Sequence, residues 1–178
     1  FINSILILSY GWCPETLLLL GINLLGVFDD KFSISPLTRF GIEGLAFWYY
    51  FMSVFDWTWV VSFAGAFIGV AILNALNFID IMDGLASSYA TFLVCLLITV
   101  GSTIYSDDLI KISATYCIFL VSFLFINFRP AKGYLGDGGN YPISALIVIL
   151  VSSLLDKYTN GFHFAGLENA HMNLLSQQ

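Results

Sequence analysis

Residues 58–85 read TWVVSFAGAFIGVAILNALNFIDIMDGL. A spanning helix needs about 20 mostly apolar residues, and the run from Thr58 to Leu76 supplies one. The stretch then turns polar, with Asn74, Asn77, Asp80 and Asp83 recurring every three residues. On a helix that spacing keeps four oxygen-bearing side chains on one slowly turning face. Helix capping, which favours Asn and Asp, accounts for one or two of them. Carboxylates are costly near a bilayer and mark functional sites there by default.

The remainder of the chain repeats the pattern. Of 178 residues, 58% are hydrophobic and 10% are charged, and the mean hydropathy is +0.87. A soluble domain carries roughly 25% charged residues, so the composition describes an integral membrane protein. Apolar spans are expected at about 15–28, 37–55, 58–76, 85–105, 109–128 and 141–155, with a polar tail after them that has no clear period. The fold class expected is all-α, a polytopic transmembrane bundle of about six spanning helices belonging to a larger bundle. Residues 1–156 form its transmembrane domain and 157–178 the tail. The first residue is Phe1, and the chain reads as a piece of a longer protein.

Counting crossings places the polar clusters. The end of the first span carries Asp29 and Asp30; two crossings later comes Asn74–Asp83, and two more lead to Arg129–Asp137. All three therefore share one side. Lys31, Arg39, Arg129 and Lys132 lie on that side, against Lys111 and Lys157 on the other. Excess Lys and Arg marks the cytoplasmic face. The formal charge of -6 is no solvated coat, because five of the twelve acids (Asp29, Asp30, Asp80, Asp83, Asp137) lie in the clusters. No basic run suggests a nucleic-acid partner.

Each cluster has a chemical and a plain reading. Adjacent carboxylates such as Asp29 and Asp30 can hold a hard cation, or serve as a base and its neighbour; they can also be a solvated helix end. Asp107-Asp108, the same dipeptide without companions, is an internal control. Hard cations such as magnesium prefer oxygen ligands, which the Asn/Asp stripe offers. In Gly136-Asp137-Gly138-Gly139, glycines let the backbone approach an anion and Asp137 can reach a metal. Arg129 and Lys132 can grip phosphate oxygens, or simply obey the positive-inside bias. Cys13, Cys95 and Cys117 lack metal-ligand spacing and read as small hydrophobes. His163 and His171 read as surface residues.

Together the clusters resemble the polyprenyl-phosphate N-acetylhexosamine-1-phosphate transferases, the family of the bacterial undecaprenyl-phosphate sugar-phosphate transferases. Gly26-Val-Phe-Asp-Asp30 resembles its first motif and Asn74–Leu85 its second. Pro130-Ala131-Lys132 with Gly136–Asn140 resembles its third. The resemblance covers about Gly26 to Tyr141, and the wording NFIDIMDGLA is most similar to the branch that starts lipopolysaccharide O-antigen synthesis. Three features depart from the pattern. Ile81 stands where a Gly is usual, and would stiffen or shift the turn presenting Asp83. Asn140-Tyr141-Pro142 replaces a Ser-Leu region. The family's further N-terminal helices and its later His-bearing basic loop have no counterpart in this sequence, so the domain reads as incomplete at both ends.

What the resemblance implies is transfer of a sugar-1-phosphate from a UDP-N-acetylhexosamine to polyprenyl phosphate, releasing UMP. This would occur at the cytoplasmic face of the inner membrane, as the first membrane step of cell-wall or surface-polysaccharide synthesis. Magnesium, or manganese in its place, would be held by Asn77 and Asp137. Asp29 would take the lipid-phosphate proton or position that phosphate, with Asp30 supporting it. Asn74, Asp80 and Asp83 would contact the nucleotide sugar or order the loop. Lys31, Arg39, Arg129 and Lys132 would be phosphate partners, and a second copy of the chain is a further candidate partner. A CDP-alcohol phosphotransferase is rejected, because Asp83-Gly84 is followed by Leu-Ala-Ser-Ser without the Arg and acids that chemistry needs. The alternative is an inactive or truncated member serving as a membrane scaffold or transporter-like protein.

Overall fold

The computed structural model describes residues 13–55, 57–80, 82, 84–128 and 133–175, with side chains through 159. Among the described residues there are six helices: α1 (Pro14–Phe32), α2 (Pro36–Val54), α3 (Trp59–Ile79), α4 (Leu85–Gly101), α5 (Asp107–Asn127) and α6 (Gly136–Leu175). Among the described residues there is no strand. The chain is thus the helical bundle expected.

Local chemistry sets the boundaries. Pro14 and Pro36 open α1 and α2, where a missing N–H costs nothing. Ser35, Thr58 and Ser106 accept the N–H groups of Thr38, Val61 and Leu109, closing the starts of α2, α3 and α5. Ser33 ends α1 in the left-handed region, with φ 51°, and its N–H reaches the Asp29 carbonyl at 2.9 Å.

Among the described residues, three helical segments are both long and apolar enough to cross a membrane: Trp59–Ile79, Asp107–Asn127 and Gly136–Thr159. The apolar α4 is shorter, at 17 residues. At 19 residues each, α1 and α2 reach roughly 28 Å, close to a ~30 Å hydrocarbon core. They carry several charged residues of the site: Asp29 and Asp30 on α1, Arg39 and Glu43 on α2.

The central helix is α6. Residues 140–150 are buried without interruption, as a helix apolar on all sides must be. Packed against it are α1, α3 and α4, while α2 pairs with α3 and α5 with α4. Outward-facing Phe63, Phe67, Phe92 and Phe125 are exposed, which suits a lipid-facing rim. The segment after residue 155, read as a polar tail without clear period, continues α6 to Leu175. No Pro interrupts it, and extending a formed helix adds one hydrogen bond per residue without a new nucleus. Asp156 on this extension accepts the Trp57 indole N–H at 2.9 Å.

Candidate active site

The three polar clusters meet at one end of the bundle, as the crossing count requires. The last turn of α1 lies on the first turn of α6. Gly26 permits this approach: a Cβ there would run into the Asp137 carbonyl and come within 2.9 Å of the Gly138 nitrogen. Pro142 contributes no N–H, so the Gly138 carbonyl lacks its usual helical donor. The Asn23 amide takes that place at 2.7 Å. Gly136 enters α6 with φ 64°, a conformation that favours glycine.

The glycine-flanked turn does receive an anion, and it is one of the chain's own. Both oxygens of Asp30 accept backbone N–H groups, from Asp137 and Gly138, each at 2.9 Å. A carboxylate there satisfies orphan donors and complements the positive end of the helix dipole.

Asp29 points inward and is 7% exposed. Its Oδ1 accepts the Ile34 N–H at 2.8 Å, and its Oδ2 accepts Arg39 Nη1–H at 2.9 Å and the Tyr141 hydroxyl at 3.0 Å. Burial works to raise the pKa of this carboxyl, but the Arg39, Ile34 and Tyr141 hydrogen bonds and the Arg39 charge outweigh it. Asp29 is therefore held below the ordinary value. Arg39 also donates from Nη2 to Asn74 Oδ1 at 3.0 Å. The guanidinium is thus directed into the protein, between Asp29 and Asn74.

Asn77 and Asp137 face each other across α3 and α6, and Asn77 Oδ1 accepts the Asn140 amide at 3.3 Å. Asp80 caps the end of α3, its N–H on the Asn77 carbonyl at 3.2 Å. Burial, followed by the charge of Asp137, pushes the Asp80 carboxyl up to about 6. Lys31 is exposed and its ammonium lies 5.3 Å from the Phe32 ring centroid. Asp83, Arg129 and Lys132 lie outside the described residues. Asp107 and Asp108, at the opposite end, are exposed, and Asp108 pairs with Lys111 at 3.3 Å.

Two residues of this end carry no motif signal. Glu43, completely buried, accepts the Asn74 amide at 3.1 Å; a charged pair spaced i, i+4 with Arg39 inside an apolar span was its available sign. Asn127, 2% exposed, joins two loops. Its Oδ1 accepts the Gly84 N–H at 2.9 Å and the Ser87 hydroxyl at 2.7 Å, while its Nδ2 donates to the Gly133 carbonyl at 2.9 Å. Between α2 and α3 an apolar groove of about 530 Å³, lined by Phe40, Leu45, Trp48, Phe67 and Val70, reaches Asn74.

No set of three His, Cys, Asp or Glu residues converges as a metal cage among the described residues. What converges is sparser: the Asp137 carboxylate and the Asn77 side chain that hydrogen-bonds to it, with the charges of Asp29, Asp30 and Asp80 close by. Few protein oxygens with room for water and phosphate is the pattern magnesium takes. The crowded negative charge is what a cation would relieve. The residues therefore fit a hard divalent cation.

The description "Glycosyl transferase family 4" matches residues 15–154. A probable undecaprenyl-phosphate N-acetylglucosaminyl 1-phosphate transferase of Bacillus subtilis (strain 168) is 34% identical over 153 residues, 75% of this chain and 41% of the relative. A phospho-N-acetylmuramoyl-pentapeptide-transferase of Streptococcus pyogenes serotype M6 is 31% identical over 130 residues, 71% of this chain and 34% of the relative. The same-named protein of Streptococcus agalactiae serotype Ia is 31% identical over 113 residues, 62% and 30% respectively. The chain thus spans 30–41% of the length of these relatives.

Proposed function

The chain belongs to glycosyl transferase family 4, and from that premise we propose that it transfers a sugar-1-phosphate from a UDP-N-acetylhexosamine to a polyprenyl phosphate at the cytoplasmic face of the inner membrane. The observation that carries this reading is the convergence of Asp29, Asn74, Asn77 and Asp137 at one end of the bundle, linked by side-chain contacts. The relatives' names describe transfer of this kind onto undecaprenyl phosphate or of a phospho-N-acetylmuramoyl-pentapeptide.

The reaction joins two anions, so charge must be offset where they meet. Asn77 and Asp137 would hold magnesium, which when bound supplies Lewis-acid charge on the phosphate oxygens. Asp29 suits positioning better than proton abstraction. Its pKa is lowered and both its oxygens are engaged, so it is ionised and a weak base at neutral pH. It fixes the Arg39 guanidinium at the site. Asp80, at the end of α3, would contact the nucleotide sugar, and Asn74, held by Arg39, Glu43 and the Val70 carbonyl, would order that end of the site. The apolar groove ending at Asn74 suits an isoprenoid chain, because it keeps the chain in an apolar setting up to the polar end.

The test is UMP release by the purified protein in detergent, with undecaprenyl phosphate and a panel of UDP-N-acetylhexosamines, with and without magnesium. The protein is assayed alone and with whatever sequence flanks it. Magnesium-dependent release with one donor is the expected result. No release from either form, with any donor, would overturn the proposal in favour of an inactive member.

A further inference from the structure

We propose that Glu43 is a positioning residue of this site, orienting Asn74 and Arg39 toward Asp29, an inference that rests on the functional reading above. Glu43 lies one turn along α2 from Arg39 and is completely buried. Its Oε2 accepts the Asn74 amide at 3.1 Å, and its Oε1 stands 3.7 Å from Arg39 Nε. Neither Oε1 nor Nε has another hydrogen-bond partner.

Stability alone does not call for this carboxylate. Asp29 already balances Arg39 at 2.9 Å, so the buried group holds one cation and two acids. Taking an ion out of water costs several kcal/mol even after relaxation, and apolar replacements for buried ions are often neutral or stabilising. An ionisable side chain sealed within an apolar helix is more readily explained by function.

The contacts show what Glu43 does. An Asn amide can sit in two orientations, and the acceptor beside it decides which. Asn74 Nδ2 donates to Glu43 and to the Val70 carbonyl at 2.8 Å, which leaves Oδ1 to accept Arg39 Nη2–H. Arg39, held at Nη2 and drawn at Nε, then directs Nη1 to Asp29. Orientation thus passes from Glu43 through Asn74 and Arg39 to Asp29.

The experiment compares wild type, Glu43→Gln and Glu43→Asp. Arg39 is 17% exposed at its side chain, so its modification by phenylglyoxal can be followed by peptide mass spectrometry, with Arg129, the other arginine, as internal reference. Glu43→Gln should speed Arg39 modification several-fold relative to Arg129 while the Tm holds or rises, and Glu43→Asp should fall between. Where the protein turns over, kcat should drop by roughly tenfold or more, since small misplacements near a reacting centre cost that much. Equal protection of Arg39 in Glu43→Gln would overturn the proposal, as would a drop in Tm that accounts for any lost rate. If no donor supports turnover, the functional reading fails separately and the Arg39 labelling still decides whether Glu43 orients it.

Discussion

The Asn23 amide donates to the Gly138 carbonyl at 2.7 Å, standing in for the N–H that Pro142 lacks. The two residues are 115 positions apart. A buried acceptor left without a donor costs about 1–3 kcal/mol, so Asn23→Ala should destabilise the protein by that amount. Pro142→Ala restores a helical donor, and in that background Asn23→Ala should cost much less. Thermal or denaturant unfolding of the four proteins forms a double-mutant cycle. Equal costs in both backgrounds would show that the amide does not serve this carbonyl.

Asp30 closes the start of α6 from outside the helix. Removing such a capping side chain costs about 1–2 kcal/mol. Asp30→Ala should show that loss in unfolding measurements, and its turnover should fall too because Asp137 sits on the same turn. Asp30→Asn keeps one acceptor and should lose less stability.

Gly26 and Gly21 lie on the same helix but differ in surroundings. A Cβ at Gly26 would strike the backbone of Asp137, whereas one at Gly21 meets nothing within 4 Å. Overpacking of this kind costs about 1–3 kcal/mol, so Gly26→Ala should be destabilised and inactive. Gly21→Ala should be neutral or gain up to about 1 kcal/mol from helix propensity. Parallel melting curves and activity assays check the contrast.

Asn127 holds the start of α4 and the segment before α6 with one side chain. In Asn127→Ala both segments should lose protection together, read as faster amide hydrogen exchange at 84–88 and at 133–138. Loosening of only one would mean that the two loops are not coupled through this residue.

Asp137 and Asp107 provide the matched pair for the metal assignment. Asp137→Asn should fold normally and lose turnover most steeply at limiting magnesium. Asp107→Asn, at the far end of the bundle, should behave as wild type. Full activity of Asp137→Asn under those conditions would remove Asp137 from the metal site, and a large loss in Asp107→Asn would contradict the placement of the site at one end.

The site was legible in outline because two of its signals are local. Asn74, Asn77 and Asp80 stand out against an apolar helix at a helical spacing, and Asp29-Asp30 ends another. Glu43 and Asn127 were not legible. Glu43 has only Arg39 one turn away as a local sign, and the contacts that give both residues meaning include partners 31 to 43 positions away. The partner of the glycine turn was not legible either, since nothing in the Gly136–Gly139 stretch points to Asp30.

From the sequence alone came the membrane bundle and the placement of three distant clusters on one face. Hydropathy is a property of each segment by itself, and the side a loop occupies follows from counting crossings. Which side chains touch was decided only by tertiary structure. The close approach of α1 to α6 at Gly26, the carbonyl freed by Pro142 and taken by Asn23, and the chain of contacts from Glu43 to Asp29 all depend on how helices pack and rotate against one another. No spacing along a single helix encodes that geometry.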